Sequence, residues 1–222
     1  MTAESQRLRI PLAKRTREIF CLFVDVGGVL LTNGWDHHAR RRAVKHFKLE
    51  WAEMEERHRL TFEIHEEGKL TFEDYLNLVV FYKKRLFTRA QFRRFMCAQS
   101  KPFPDMIDLL RQLKAQQGLK IIVVSNESRE LNAHRIRRFR LDTFVDAFIS
   151  SCFVGLRKPD ANMFRLALDI SQAPAATIVY IENTPMFTQI AEGMGIRSIL
   201  HTDYKSTSAQ LAALGLEIEP AK

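Results

Sequence analysis

The stretch Ile19-Phe20-Cys21-Leu22-Phe23-Val24-Asp25-Val26-Gly27-Gly28-Val29-Leu30 decides how this chain folds. Six apolar residues in a row read as a strand buried on both faces, the pattern of a parallel sheet. Asp25 ends the run, and Gly27-Gly28 let the backbone turn sharply and approach a ligand closely. One carboxylate therefore stands at the carboxyl end of the expected first strand, the edge where open α/β sheets bind ligands. An aspartate there can attack phosphorus, ligate Mg²⁺ or cap the following turn. A carboxylate on a buried strand is costly without a charged partner, which favours the functional roles.

Two textures follow. From about residue 33 to residue 101 the pattern is helix after helix. Thr71-Phe72-Glu73-Asp74 and Thr88-Arg89-Ala90-Gln91 are capping signals, Gly68 is a break, and Tyr75, Leu76, Leu78, Val79 and Tyr82 keep helical spacing. From Pro102 onward strands alternate with helices. Strands are expected at 120–124, 148–150, 177–181 and 197–200, with helices at 104–117, 127–138, 161–170, 188–194 and 206–214. The expected fold is α/β: a doubly wound, Rossmann-like parallel-sheet core over residues 18–33 and 102–222, with an all-helical cap inserted at 34–101. Residues 1–17 read as a basic arm.

The chain has 222 residues, 46% of them hydrophobic, which supports a sizeable core and argues against wholesale disorder. Cys21, Cys97 and Cys152 lie far apart without metal-ligand spacing and read as free thiols of a reducing compartment. No apolar stretch approaches a membrane span, and the first residues have no apolar signal core, so the cytoplasm is the expected location. The net charge of +8 comes with basic clusters at 40–42, 83–85 and 135–140. They read chiefly as solvated helix faces with a general attraction for anions, since no nucleic-acid module accompanies them. Trp35 and Trp51 read as core of the helical segment. His58 and His65 can share a helix face, and His37 or His38 is a candidate acid beside the crevice. A zinc site would need further ligands at suitable spacing.

Strand ends converge on one edge in such a sheet, so Asp25, Ser125 and Glu182 should meet there. Asp25 is the candidate nucleophile and metal ligand. Ser125, with Asn126 and Gly28, is a candidate for holding phosphate oxygens. Lys158, in Gly155-Leu156-Arg157-Lys158-Pro159-Asp160, would neutralise charge on the nucleophile and the phosphoryl group. Glu182, with the Gly27 carbonyl and Asn183, would complete a Mg²⁺ site. Taken singly, Ser125-Asn126 and Glu182-Asn183 also read as helix caps, and Lys158-Pro159 as an ordinary loop.

Together these segments resemble the haloacid dehalogenase-like (HAD) hydrolase superfamily from Ile19 to His201. FVDVGGVL (23–30) matches the first motif, IIVVSN (121–126) the second, GLRKPD (155–160) the third, and VYIEN (179–183) with GMGIRSIL (193–200) the fourth. The insert after the first motif resembles the helical cap of a phosphatase-like branch, and the first motif its DxGG variant. The resemblance implies that Asp25 forms an aspartyl-phosphate, Ser125 binds phosphoryl oxygens, and Lys158 bridges nucleophile and phosphate. It also implies Mg²⁺ as cofactor with Glu182 as its acidic ligand, a small phosphorylated metabolite as partner, and a cap that selects it. Two departures stand out. Gly27 replaces the usual acid–base aspartate, which implies low turnover, and Asn183 removes one charge from the usual acidic pair, which implies weak Mg²⁺ binding. Two alternatives stay open: a decayed binding or regulatory protein on this fold, and a metal-free 2-haloacid dehalogenase-like hydrolase using Asp25 on carbon.

Overall fold

Alternate residues of each central strand face opposite sides, so a run that is apolar throughout needs cover on both. The computed structural model describes residues 19–218, and the expected basic arm over 1–17 lies outside them. Five strands, β1 (Cys21–Val24), β2 (Lys120–Ser125), β3 (Ala147–Ser150), β4 (Ile178–Glu182) and β5 (Arg197–Leu200), form one parallel sheet in the order β3-β2-β1-β4-β5. Leu22, Val24, Ile121, Val123, Val179 and Ile181 pack on one face with side chains of α5 (Pro104–Gln117) and α10 (Tyr204–Ala213). Cys21, Phe23, Ile122, Val124, Ile178 and Tyr180 pack on the other with α8 (Ala161–Ser171) and α9 (Pro185–Gly193). The remaining core helices are α6 (Arg129–Arg138) and the short α7 (Ser151–Val154). Burial pushes the Cys21 and Cys152 thiols up to about 12, so both stay protonated.

Four helices lie between β1 and α5: α1 (His37–Phe47), α2 (Trp51–Glu66), α3 (Phe72–Val79) and α4 (Arg89–Ala98). They enclose their own apolar cluster, including Met54, Tyr75, Leu76, Phe92 and Met96. Thr71 accepts from the Asp74 amide (3.1 Å), and Thr88 with Gln91 completes a reciprocal capping box. Sequence spacing carried the third helix on to Tyr82, but it stops at Val79; the Tyr82 ring lies 3.6 Å under the Arg57 guanidinium. Helix α6 begins two residues later than expected, with Ser128 as its N-cap, which leaves Glu127 free of the helix. Helix α9 begins three residues earlier, because Pro185 suits the first helical position.

The two segments joining this helical unit to the sheet run side by side. Thr32 N–H donates to the Lys101 carbonyl (2.9 Å), and Phe103 N–H to the Leu30 carbonyl (2.8 Å). Arg135 fastens both, donating to the Thr32 carbonyl (2.8 Å) and the Ser100 hydroxyl (3.0 Å) while pairing with Glu127. Two basic clusters are therefore not solvated faces throughout. Arg135 is almost wholly buried, and Arg40 is buried in a two-pronged pair with Glu55 (2.7 and 2.6 Å). Charge counting along the sequence could not separate these arginines from exposed neighbours, because their carboxylates come from other segments.

Candidate active site

Strand register builds the site. Val24 is level with Ile181 on one side and Val123 on the other, so Asp25 and Glu182 leave the sheet together, with Ser125 one residue further along β2. Lys158 comes from the loop between α7 and α8 and is buried. Its ammonium donates to Asp25 Oδ1 (3.0 Å), Glu182 Oε2 (2.6 Å) and the Tyr180 hydroxyl (2.9 Å). The Tyr180 hydroxyl donates in turn to Glu182 Oε2. Asn126 fixes the lysine from behind: its side-chain oxygen accepts from the Lys158 amide (2.8 Å) and its NH₂ donates to the Lys158 carbonyl (2.8 Å).

Two buried carboxylates thus share one ammonium. Burial pushes the Asp25 carboxyl up to about 6; Lys158 pulls it down, and Glu182 pushes it up again. Burial alone would lower the Lys158 ammonium, but Asp25 and Glu182 together outweigh it and hold it above its ordinary value. The Tyr180 phenol is held far up by burial and by Glu182.

Above these groups, between sheet edge and helical insert, is a cavity of about 460 Å³. Asp25, Gly27, Asn126, Lys158 and Asn183 line it on the sheet side. Trp35, His58, Arg59, Phe62 and His65 line it from the insert. Three of the expected site residues, Ser125, Glu182 and Gly28, do not line this cavity, although Glu182 meets Lys158 beneath it. Ser125 and Glu182 are buried, and the Ser125 side chain helps to hold the Asp25 carboxyl down. Gly28 borders a different cavity, and its N–H is taken by the Leu31 carbonyl (2.6 Å), so it has no amide to offer a phosphate. Glycine is required there for another reason: φ is +79° and a Cβ would come within 2.1 Å of the Asn183 amide.

The oxygens available for a cation are those of Asp25, the Gly27 carbonyl, Glu182 and Asn183. The Asn183 amide turns its nitrogen to Glu182 Oε1 (2.9 Å) and the Gly27 carbonyl (3.2 Å), bringing all three groups together. Such hard oxygen donors suit Mg²⁺, and the cluster carries one more carboxylate than ammonium, so the residues fit a small divalent cation. The fit is tight, because both Glu182 oxygens are engaged: Oε2 by Lys158 and Tyr180, and Oε1 by the Thr184 amide (2.9 Å) and the Asn183 side-chain nitrogen. Among the described residues no three His, Cys, Asp or Glu side chains gather as ligands for a metal ion.

Sequence reading passed over Tyr180 and Glu127. Tyr180 is two residues before Glu182 on the same strand face, a signal present in the sequence but masked by the reading of Tyr180 as strand core. Glu127 lines the cavity, and burial pushes its carboxyl up to about 7 against the pull of Arg135. His37 and His38 are exposed and outside the cavity; His37 instead accepts from Arg41 (2.8 Å). His58 and His65 do share a face of α2, both against Tyr75: His58 Nδ1 lies 2.8 Å from its hydroxyl, and the His65 ring stacks on it at 4.3 Å.

That contact sets a pH response. The Tyr75 hydroxyl accepts from Trp35 Nε1 (2.8 Å), leaving its proton for a neutral His58. Burial and Arg40 push His58 down to about 3 from 6.5. A depressed histidine stabilises the fold fully above its unfolded value, and that contribution is lost as pH falls from 6.5 toward 3. Thermal melts of the wild type and His58→Gln are expected to converge between about pH 7 and about pH 4. A constant gap would show that His58 is not held neutral.

The family model for haloacid dehalogenase-like hydrolases matches residues 18–195. A curated protein named "Putative pyrophosphatase PpaX", from Caldanaerobacter subterraneus subsp. tengcongensis, is 26% identical over 95 residues, 43% of either chain. The chain thus matches less than half the length of that relative. Among solved structures, a predicted HAD-like family hydrolase of Porphyromonas gingivalis superposes with a TM-score of 0.70 at 19% identity, covering 88% of this chain and 98% of that one. A HAD family enzyme of Bacteroides thetaiotaomicron, in complex with magnesium and inorganic phosphate, gives 0.68 at 16%, covering 82% and 93%. The L-2-haloacid dehalogenase of Xanthobacter autotrophicus, with chloropropionic acid covalently bound, gives 0.57 at 15%, covering 91% and 85%. At these identities the solved structures speak for the fold. The family match covers most of the chain, including every strand but the last, and the chain belongs to the haloacid dehalogenase-like hydrolases.

Proposed function

We propose that this hydrolase cleaves small phosphate monoesters through an aspartyl-phosphate on Asp25, depends on Mg²⁺, and turns over slowly. The observation that carries the reading is the buried Asp25 carboxylate at the cavity floor with the Lys158 ammonium 3.0 Å away. An Asp25 oxygen attacks phosphorus and the ester P–O bond breaks, so the leaving oxygen departs with the bonding pair and must gain a proton. Lys158 neutralises charge on nucleophile and phosphoryl group and is itself oriented by Asn126 and Glu182. Ser125 favours the charged form of Asp25, and water then hydrolyses the acyl phosphate to regenerate Asp25. Gly27 has no side chain to protonate the leaving group or activate that water, hence the low turnover. Asp25, the Gly27 carbonyl, Glu182 and Asn183 would hold Mg²⁺, which supplies charge neutralisation at the phosphoryl oxygens. The helical insert acts as the cap that excludes water and chooses the substrate.

A second reading is supported by the engagement of Glu182 with Lys158 and Tyr180, which weakens the case for a metal but leaves Asp25 and Lys158 intact. In that reading Asp25 displaces halide from a 2-haloacid without metal. One experiment separates the two: a phosphate-ester panel with and without Mg²⁺, a short 2-haloacid, and Asp25→Asn alongside. The phosphatase reading expects Mg²⁺-dependent phosphate release that the variant lacks by at least about 10⁴-fold. Chloride release without metal would replace it. Silence on every substrate would leave a binding protein on this fold.

A further inference from the structure

We propose that Arg59 selects substrates bearing a second anionic group, a carboxylate or a second phosphate, on the alcohol side of the ester. This deepens the phosphatase reading and rests on it for the position of the transferred phosphoryl group. Nearly every charge on the cavity wall has a partner. Arg40 is held by both oxygens of Glu55, Arg135 by Glu127, and Lys158 by Asp25 and Glu182. The carboxylates are matched likewise. Glu66 receives Arg157 (2.9 Å), and Asp36 caps α1 through the Ala39 amide (2.7 Å).

Arg59 is the exception. It lines the cavity and is exposed, and among the described residues it makes no hydrogen bond, ion pair or ring contact. It stands on α2 three residues before Phe62 and seven before Glu66, both of which also line the cavity, so one helix face presents all three. The phosphoryl end of an ester is drawn to Asp25 and Lys158 on the sheet side, which leaves the far end of the substrate facing this strip. A guanidinium fork is suited to carboxylate and phosphate alike, and Phe62 beside it offers an apolar surface for a short carbon chain.

The test measures binding by calorimetry in the Asp25→Asn background, so that no ester is consumed. The probes are 2-phosphoglycolate, ethane-1,2-diol bisphosphate and 2-hydroxyethyl phosphate. One or both of the doubly anionic probes should bind about tenfold or more tighter than 2-hydroxyethyl phosphate. Arg59→Gln should erase that advantage, and Arg59→Lys should restore part of it. Whichever probe shows the larger advantage identifies the second group as carboxylate or phosphate. Equal affinity for all three probes, no binding of any, or an equal loss on all three in Arg59→Gln would overturn the proposal. The phosphatase reading fails separately, by absence of phosphate release from the wild type, and leaves the binding order readable.

Discussion

Gly27→Asp is expected to raise the rate of phosphate release by about 10²- to 10⁴-fold, the gain a positioned acid–base group supplies. Gly27 lines the cavity two residues after Asp25, so a carboxyl there would stand beside the scissile bond. Space permits the change. A Cβ at Gly27 would meet only the Asn33 side-chain oxygen at 3.2 Å and the Asn33 Cα at 3.6 Å, and Asn33 is exposed, so its side chain can give way. The neighbouring glycine offers no such room, since a Cβ at Gly28 would drive into the Asn183 amide. Steady-state phosphate release, with Asp25→Asn/Gly27→Asp as control, reads the effect. An unchanged or lower rate would mean that another group already serves as the acid, or that the new carboxylate adds charge where the site tolerates none.

Lys158→Met should abolish turnover and destabilise the fold by about 3–5 kcal/mol, the cost of removing one partner from a buried ion pair. Methionine keeps most of the unbranched apolar stem and is one heavy atom shorter, so the deficit would arise chiefly from charge. Without the ammonium, Asp25 and Glu182 face each other in a site from which water is largely excluded. The Asp25 carboxyl, already pushed up to about 6 by burial, would lose the pull of Lys158 and hold its proton to higher pH still. A raised acid supports the fold below its unfolded value and loses that support as pH rises through its folded value. The stability gap to the wild type is therefore expected to be larger at about pH 8 than at about pH 5 in chemical denaturation. A gap that is small, or flat across that interval, would show that Lys158 does not neutralise the pair.

Local chemistry made much of this protein legible before any tertiary contact was known. Runs of apolar residues ending in Asp25, Ser125 and Glu182 mark buried parallel strands, because only a sheet covered on both faces needs them. Right-handed crossovers then oblige those ends to share an edge. The second texture, helical between residues 33 and 101, followed from side-chain spacing and from the capping signals at Thr71 and Thr88.

What lay beyond the sequence are pairings between distant segments. Nothing near Arg135 in the chain announces that it joins Thr32, Ser100 and Glu127, and nothing near Arg40 announces Glu55. The same holds for the division of labour within the site: Asn126 serves the Lys158 backbone, Gly28 makes way for Asn183, and Tyr180 shares Glu182 with Lys158. Composition and period describe which side of an element is apolar. Which cation meets which carboxylate depends on distances between elements, and those exist only once the sheet, its crossovers and the helical insert have packed.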